Sequence, residues 1–525
     1  MLSLADQNFN NFKWKKCFFF SFLLCFALIN LTVRAEEKVL KLEVMSTNQQ
    51  LPAPLKVSNV IEKIDFNHPT LQSTELYQKL AQAERMAAKS EFIPKYNSRT
   101  LYENFRLIKG GALDGGATLH EVSWQTPLAV ELIVGVRADT NAFLPPDTLT
   151  YPINKAYLTS IKRSRVSNGN QSEIVFGARI PLLRNLLVDE FRANLKLSQL
   201  ELTYAKLKFL DKRAELMMKG SEKYWDWVTN GFKLQVAEEI LELAKARTDG
   251  IKERVNDGAN PPIDLVEAEG QLKFREEAYI KALREFEKET IGLSAYLWDE
   301  GLNFLTPRKG NLPQSFPDPI SISEDISETY LKLALKERPE ILKLNTDITK
   351  ENINLKLAKN NLLPKIDLEL LPSQDIENFE GTTNFNGSIN VQLPLYPLKA
   401  QSEILKAQTK ISQNKLDLIN TQAEITNEIR DALSYIQTTK DRVEQSRLAV
   451  EKLKELLEGE RTKYQYGNST LLLLNIRESA YADSKNKLYE ALGEHQKALA
   501  QYRYAIGEWS IENFTPNLST LIGNI

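Results

Sequence analysis

Between about Leu398 and Tyr464, apolar residues recur on two interleaved sevens. Ile404, Ile411, Leu418, Ile425 and Ala432 make one; Ile429, Ile436, Val443, Val450 and Leu457 make the other. This 3-4 spacing is the seam of a coiled coil, in which each apolar knob enters a hole on a facing helix. At 1.5 Å per residue such a helix is on the order of 100 Å long, so no globular core encloses it. A second segment, from about Asn185 to Val255, shows a similar face through Leu195, Leu202, Leu210, Met217, Tyr224 and Val228, then Ala237, Leu241 and Ala244.

Each long helix runs into a glycine turn and a further helical segment. Asn256-Asp257-Gly258-Ala259-Asn260-Pro261-Pro262 leads into Ile263 to Trp298, and Tyr466-Gly467-Asn468-Ser469 leads into Thr470 to about Glu508. Glycine just past a helix end and proline just inside the next are the ordinary stop and start signals. The spacing therefore predicts two long helical hairpins. Thr306 to Pro319, punctuated by prolines, separates them as a linker.

The two hairpins belong to an internal duplication. His68-Pro69 precedes Ala88-Lys89-Ser90-Glu91-Phe92-Ile93-Pro94-Lys95, and Arg338-Pro339 precedes Ala358-Lys359-Asn360-Asn361-Leu362-Leu363-Pro364-Lys365, with the prolines 25 positions apart in both cases. In each half a helix starts at the first proline and stops at the second. A strand-rich stretch follows and closes at Ile180-Pro181-Leu182 or Leu393-Pro394-Leu395, and then the long helix begins. The domain plan is a first repeat at 36–305, with strands about 95–181 and a hairpin about 185–298, then a linker at 306–324. The second repeat follows at 325–508, with strands about 365–395 and a hairpin about 398–508, and then a tail at 509–525.

Between Pro364 and Pro394, Ile366, Leu368 and Leu370 alternate with Lys365, Asp367 and Glu369, and Phe385, Gly387, Ile389, Val391 and Leu393 alternate with polar residues, which reads as a strand hairpin. The first-half stretch from Pro94 to Pro181 is 57 residues longer. It contains strand-like 128–136 and 173–180, and its extra length, about 97–172, fits either an enlarged loop or an additional strand pair. Gly110-Gly111 and Gly115-Gly116 read as a flexible loop, because no Lys-Ser/Thr follows them as a phosphate cradle requires.

The first 35 residues have the form of an export signal: Lys13, Lys15 and Lys16, an apolar run from Cys17 to Leu31, and Val33-Arg34-Ala35 before Glu36. The apolar run is too short to span a bilayer. Both cysteines, Cys17 and Cys25, fall inside it, and Leu24 stands where lipidation at Cys25 would want a small residue. The mature chain is therefore expected to have no thiol, disulfide or cysteine metal site. Beyond Glu36 no second run of that kind reaches 18 apolar residues, so entry into a membrane would have to be by strands.

With 67 Lys+Arg against 69 Asp+Glu and no long basic run, the chain lacks the electrostatic footprint of a nucleic-acid binder. Three histidines, His68, His120 and His495, stand in no catalytic or metal-ligating pattern, so neither an enzyme site nor a cofactor is expected. The expected fold class is mostly α with β: duplicated long helical hairpins plus four strands per chain. Four strands cannot close a barrel, so copies would share one; two would give eight strands and three would give twelve. A non-pore periplasmic coiled-coil adaptor or scaffold is the alternative.

From about Val57 to Glu508 the chain resembles the TolC-like outer membrane efflux protein family. The resemblance is carried by Asn67-His68-Pro69 and Glu337-Arg338-Pro339, Ile93-Pro94 and Leu363-Pro364, Ile180-Pro181-Leu182, Leu393-Pro394-Leu395-Tyr396, and Lys463-Tyr464-Gln465-Tyr466-Gly467-Asn468-Ser469. It implies a homotrimer with a twelve-stranded outer-membrane barrel and a helical periplasmic tunnel forming a coiled-coil α-barrel. It further implies a channel that receives substrates from an inner-membrane pump through a periplasmic adaptor, contacted near Gly258, Asn260, Gly467, Asn468 and Ser469. Pro94, Pro181, Pro364 and Pro394 would mark the helix-strand junctions. Relatives place aspartates six and nine residues after the second tip glycine, where this chain has Leu473 and Ile476. Asp264 and Glu267 occupy those offsets in the first tip and are the candidate pore constriction, although acidic residues are also favoured in any first helical turn.

Overall fold

The computed structural model describes residues 51–107, 111–140, 172–376 and 383–511, so the export signal and most of the tail lie outside the described residues. The elements in order are α1 (Val57–Asn67), α2 (Pro69–Ser90), β1 (Lys95–Leu107), β2 (Gly111–Gln125), β3 (Glu131–Thr140), β4 (Ser172–Pro181), α3 (Glu190–Asn256) and α4 (Pro262–Ser294). There follow α5 (Glu324–Glu337), α6 (Pro339–Asn360), β5 (Lys365–Asp375), β6 (Asn384–Gln392), α7 (Leu398–Gln465) and α8 (Leu471–Ala505). Over the described residues the chain forms two compact units: one is built on 85–197 and 353–406 and holds the sheet, and the other, built on 51–84, 198–352 and 407–511, is helical.

In the helical unit the 3-4 seam of α7 is closed: Ile425, Ile429, Ala432, Ile436, Val443 and Leu457 are buried, and Ile411, Leu418 and Val450 are half-buried. Thr439 continues the same stripe and is fully enclosed. It donates to the Tyr435 carbonyl at 2.7 Å and also meets His495 Nδ1 of α8 at 3.1 Å, so the hydroxyl is satisfied within its own helix and across to the next. One cluster gathers Leu55, Val60, Ile64 and Leu71 against Met217, Tyr224, Trp227 and Val228 of α3. Another gathers Ala334 and Ile341 against Ile425, Ile429 and Ile436 of α7 and Ala498, Leu499 and Tyr502 of α8. A short helix pair thus seals a long helix in each repeat.

The duplication extends to single hydrogen bonds. His68 and Arg338 end α1 and α5, their N–H groups donating to Ile64 and Ala334 carbonyls at 3.3 and 3.0 Å. Pro69 and Pro339 then open helices of 22 residues each. Those helices close on matching turns, Phe92 to Lys89 and Ile93 to Ser90 in one, Leu362 to Lys359 and Leu363 to Asn360 in the other. The junction side chains differ. Arg338 is buried and ion-paired with Glu340 at 2.5 Å and Glu428 at 2.7 Å, whereas burial lowers the pKa of His68, whose Nδ1 accepts the Thr70 N–H.

The six strands form one antiparallel meander, β1-β2-β3-β4-β5-β6. This corrects the four strands expected per chain: the long first-half stretch holds four strands by itself. Gly111, Gly115 and Gly116 pair with Leu107, Glu103 and Tyr102 inside β2 rather than lying in a loop. A strand with glycines at 111, 115 and 116 and Asp114 between them has little apolar alternation to reveal it.

Two outcomes follow from this packing. Ile436→Asp places a carboxylate in a closed seam and is expected to abolish the folded helical unit, read as loss of helical circular dichroism and of a monodisperse elution peak. His495 is fully buried, its Nε2 accepting the Ile320 N–H at 3.1 Å, and burial pushes its pKa down to about 4. Between the unfolded value near 6.5 and about 4 the unfolded chain binds the extra proton, so stability is lost as pH falls through that window. The full effect is on the order of 3 kcal/mol. Denaturant titrations at pH 7.5 and 4.5 should show this loss, and His495→Gln should remove much of the difference.

Candidate functional site

Both hairpin turns are built alike. Gly258 and Gly467 adopt φ of +74° and +76°, a left-handed conformation open to glycine at little cost. Each sits two residues past the end of its helix: Ala259 N–H reaches the Arg254 carbonyl at 2.8 Å and Asn468 N–H the Lys463 carbonyl at 2.8 Å. These are the six-to-one bonds of a Schellman cap, which satisfies carbonyls the helix leaves unpaired. Asn260 then donates to Asp264 at 2.8 Å, Ser469 donates to Glu460 at 2.5 Å, and Thr470 caps α8 by accepting from Leu473 N–H. The two ends meet in one apolar cluster of Ile251, Ala268 and Leu471, flanked by Val255, Leu265 and Tyr464.

Of the residues expected at a constriction, Asp264 is half-buried and tied to Asn260, while Glu267 is half-buried with one carboxylate oxygen enclosed and unpartnered. Leu472, Leu473 and Ile476 of α8, and Ile263 and Val266 of α4, are exposed beside them.

A charged network close to these turns was not anticipated. Glu478, almost fully buried, pairs with Arg247 of α3 and with Arg461 of α7 at 3.2 Å, and Arg247 also donates to Asn475 at 2.7 Å. Glu478 thereby links three helices. Its sequence signal is a charge on an otherwise apolar helical stripe, Leu471, Leu474, Glu478 and Ala482; Glu460 is the same anomaly in the α7 seam.

In the sheet-bearing unit the four proline positions stand at the helix-strand junctions. Pro94 and Pro364 immediately precede β1 and β5, Pro181 ends β4, and Pro394 lies two residues past β6. Leu182 N–H bonds the Ile366 carbonyl at 2.7 Å, so the exit of β4 and the entry of β5 are held together.

The sheet itself is inverted relative to that of a soluble protein. One face carries Tyr96, Val122, Trp124, Leu132, Val134, Val136, Phe176, Phe385, Ile389 and Val391, all exposed. Register puts them side by side, as in Val122↔Val134 and Val134↔Phe176. The opposite face carries the charges and is the more enclosed: Glu173, Asp367 and Ser373 are buried there. Glu131, Arg179, Glu369 and Ser388 form a polar chain across β3 to β6, with links of 2.6, 3.1 and 3.2 Å. Gly135 lies on this crowded face, where a Cβ would come within 2.7 Å of the His120 carbonyl oxygen. Apolar-out and polar-in alternation is the pattern of a strand wall with lipid on one side and water on the other. Among the described residues no helix is long and apolar enough to cross a membrane, and no group of three His, Cys, Asp or Glu could hold a metal ion.

Residues 330–508, essentially the second repeat, match the family model of outer membrane efflux proteins. The fold is that of outer-membrane channels. It is shared with the Campylobacter jejuni CmeC outer membrane channel at TM-score 0.59 and 15% identity, over 92% of this chain and 94% of that one. Vibrio cholerae VceC aligns at TM-score 0.59 and 12% identity over 86% and 96%, and the open-state Neisseria gonorrhoeae MtrE channel at 0.60 and 13% over 86% and 88%. A comparison with curated protein sequences finds no match. The second repeat carries the family's sequence pattern and the chain as a whole carries the fold.

Glu478→Gln leaves Arg247 and Arg461 facing a neutral partner in a buried site, a change expected to cost about 3 kcal/mol locally. Hydrogen exchange should accelerate around residues 245–270 and 455–480 while the sheet is unchanged. Gly467→Ala, strained at φ +76°, should give a smaller effect of about 1 kcal/mol confined to its own turn.

Proposed function

We propose that this chain is the outer-membrane exit duct of an efflux or type I secretion system, a passive channel and not an enzyme. The observation that carries the reading is the inverted sheet, which exposes Val134, Phe176, Ile389 and Val391 and encloses Glu173 and Asp367. Water on the charged side and hydrocarbon on the aliphatic side satisfy both faces at once. A periplasmic scaffold with no pore would leave that aliphatic face in water, so it fits the sheet poorly.

In this reading three copies assemble, their sheets join into one barrel, and the helical hairpins extend into the periplasm. The turns at Gly258, Asn260, Gly467, Asn468 and Ser469 face a periplasmic adaptor, through which an inner-membrane pump delivers substrate. Asp264 and Glu267 are the acidic groups available to narrow the entrance, beside the exposed apolar side chains of Ile263, Val266, Leu473 and Ile476. No cofactor or metal is required, because transport through a duct makes and breaks no covalent bond.

Protein extracted from the outer-membrane fraction and added to a planar lipid bilayer should produce discrete, stepwise increments of ionic conductance. A folded preparation that inserts no conducting unit would contradict the channel.

A further inference from the structure

The sheet of described strands ends in two edges, β1 and β6, and an open edge in lipid leaves backbone N–H and C=O groups with no hydrogen-bond partner. The duplication indicates what pairs with them. Within the chain, the closing strand of the first repeat, β4, pairs with the opening strand of the second, β5, in the register Pro181↔Asp367, Ile180↔Leu368. The equivalent closing strand of the second repeat is β6, leading to Leu393-Pro394. The equivalent opening strand of the first repeat is β1, which follows Pro94 as β5 follows Pro364. Carried across the repeats, the same register sets Pro394 opposite Asn97 and Leu393 opposite Ser98.

At its Lys95/Gln125 end the hairpin β1-β2, which makes the sheet larger than expected, shares the alternation of the rest; beyond that end Leu101, Phe105, Leu107, Leu113 and Leu119 fall at odd positions and Asn104, Arg106 and Asp114 at even ones, so the pattern is carried by the end nearest Pro94. Lys95, Arg99, Glu103 and Glu121 fall at odd positions, alternating in sequence with Tyr96, Ser98, Thr100 and Tyr102 on one strand and with His120, Val122 and Trp124 on the other. Tyr96, Val122 and Trp124 are exposed on the same face as Val134 and Phe176. Asn97 donates to Ser123 at 3.2 Å on the opposite face.

Resting on the channel reading above, we infer that β1-β2 is part of the membrane wall and that each copy contributes six strands. The β6 edge of one copy joins the β1 edge of the next in the register of β4 and β5. In a trimer the barrel then has eighteen strands in place of twelve, and is about 1.5 times as wide, since diameter grows roughly linearly with strand number. The partner for these edges is a second copy of this chain.

Two measurements on the mature protein test this, using single cysteines in a chain whose native pair, Cys17 and Cys25, lies in the leader. Bimane attached at Val122→Cys and Tyr96→Cys should lose as much fluorescence in vesicles of brominated phosphatidylcholine as bimane at Phe176→Cys and Ile389→Cys. Quenching at the latter two alone would overturn the six-strand wall while leaving the membrane reading intact, and quenching at none would overturn both.

Oxidation of the Ser98→Cys/Leu393→Cys double variant should give covalent oligomers on non-reducing gels, because directly opposed strand residues lie within disulfide reach. Cross-linking of Ser98→Cys only to Val391→Cys would overturn the register. No cross-link in either pair would overturn the β6-β1 seam.

Discussion

A sheet with aliphatic side chains outward and carboxylates enclosed is stable only between two different media. Val134, Phe176 and Ile389 stay exposed beside their strand neighbours, with no layer of the described residues packed over them, while Glu131, Arg179, Glu369 and Ser388 satisfy one another across four strands. Each strand also needs a neighbour on both sides, because hydrocarbon offers no hydrogen bonds to an edge. In the proposed channel these two demands set the rest of the architecture: an outward apolar surface, an inward polar one, and closure by further copies where one chain runs out of strands.

The helical unit meets a different demand. A helix of 67 or 68 residues cannot be buried in a globular core, so α3 and α7 are sealed along a stripe by other helices. In each repeat a short helix pair, α1-α2 or α5-α6, covers the long helix beside it. Polar groups inside this packing find partners close by, Thr439 in the Tyr435 carbonyl and His495, His495 in the Ile320 N–H and Thr439, and Arg338 in two carboxylates and the Ala505 carbonyl. Glu478, held by Arg247 and Arg461, has no such local solution and so ties together helices that lie far apart in sequence.

Much of this was legible in the sequence because burial imposes a period. The seven-residue repeats through Ile429 and Ile436 mark a closed seam, and the prolines at 69, 94, 339 and 364 mark helix ends that recur at the same bonds. The twin glycine turns were legible because the left-handed conformation strongly favours one residue type. The hairpin β1-β2 was not, since glycine and charge interrupt its alternation and place apolar residues such as Leu101, Phe105 and Leu113 out of phase with it. Nor were the partners of Glu478, because a charged side chain on a helix is usually a solvated one. The roles of Asp264 and Glu267 were equally beyond the sequence: the structure ties the first to Asn260 and encloses one oxygen of the second.

The central claim is that the exposed apolar face of the sheet is covered by lipid and its edges by identical chains. The most direct test is the native mass of the mature protein released from the outer-membrane fraction. The account predicts a complex of three chains that enters solution only with detergent and precipitates when detergent is removed. A monomer or dimer that is soluble in water without detergent would contradict it.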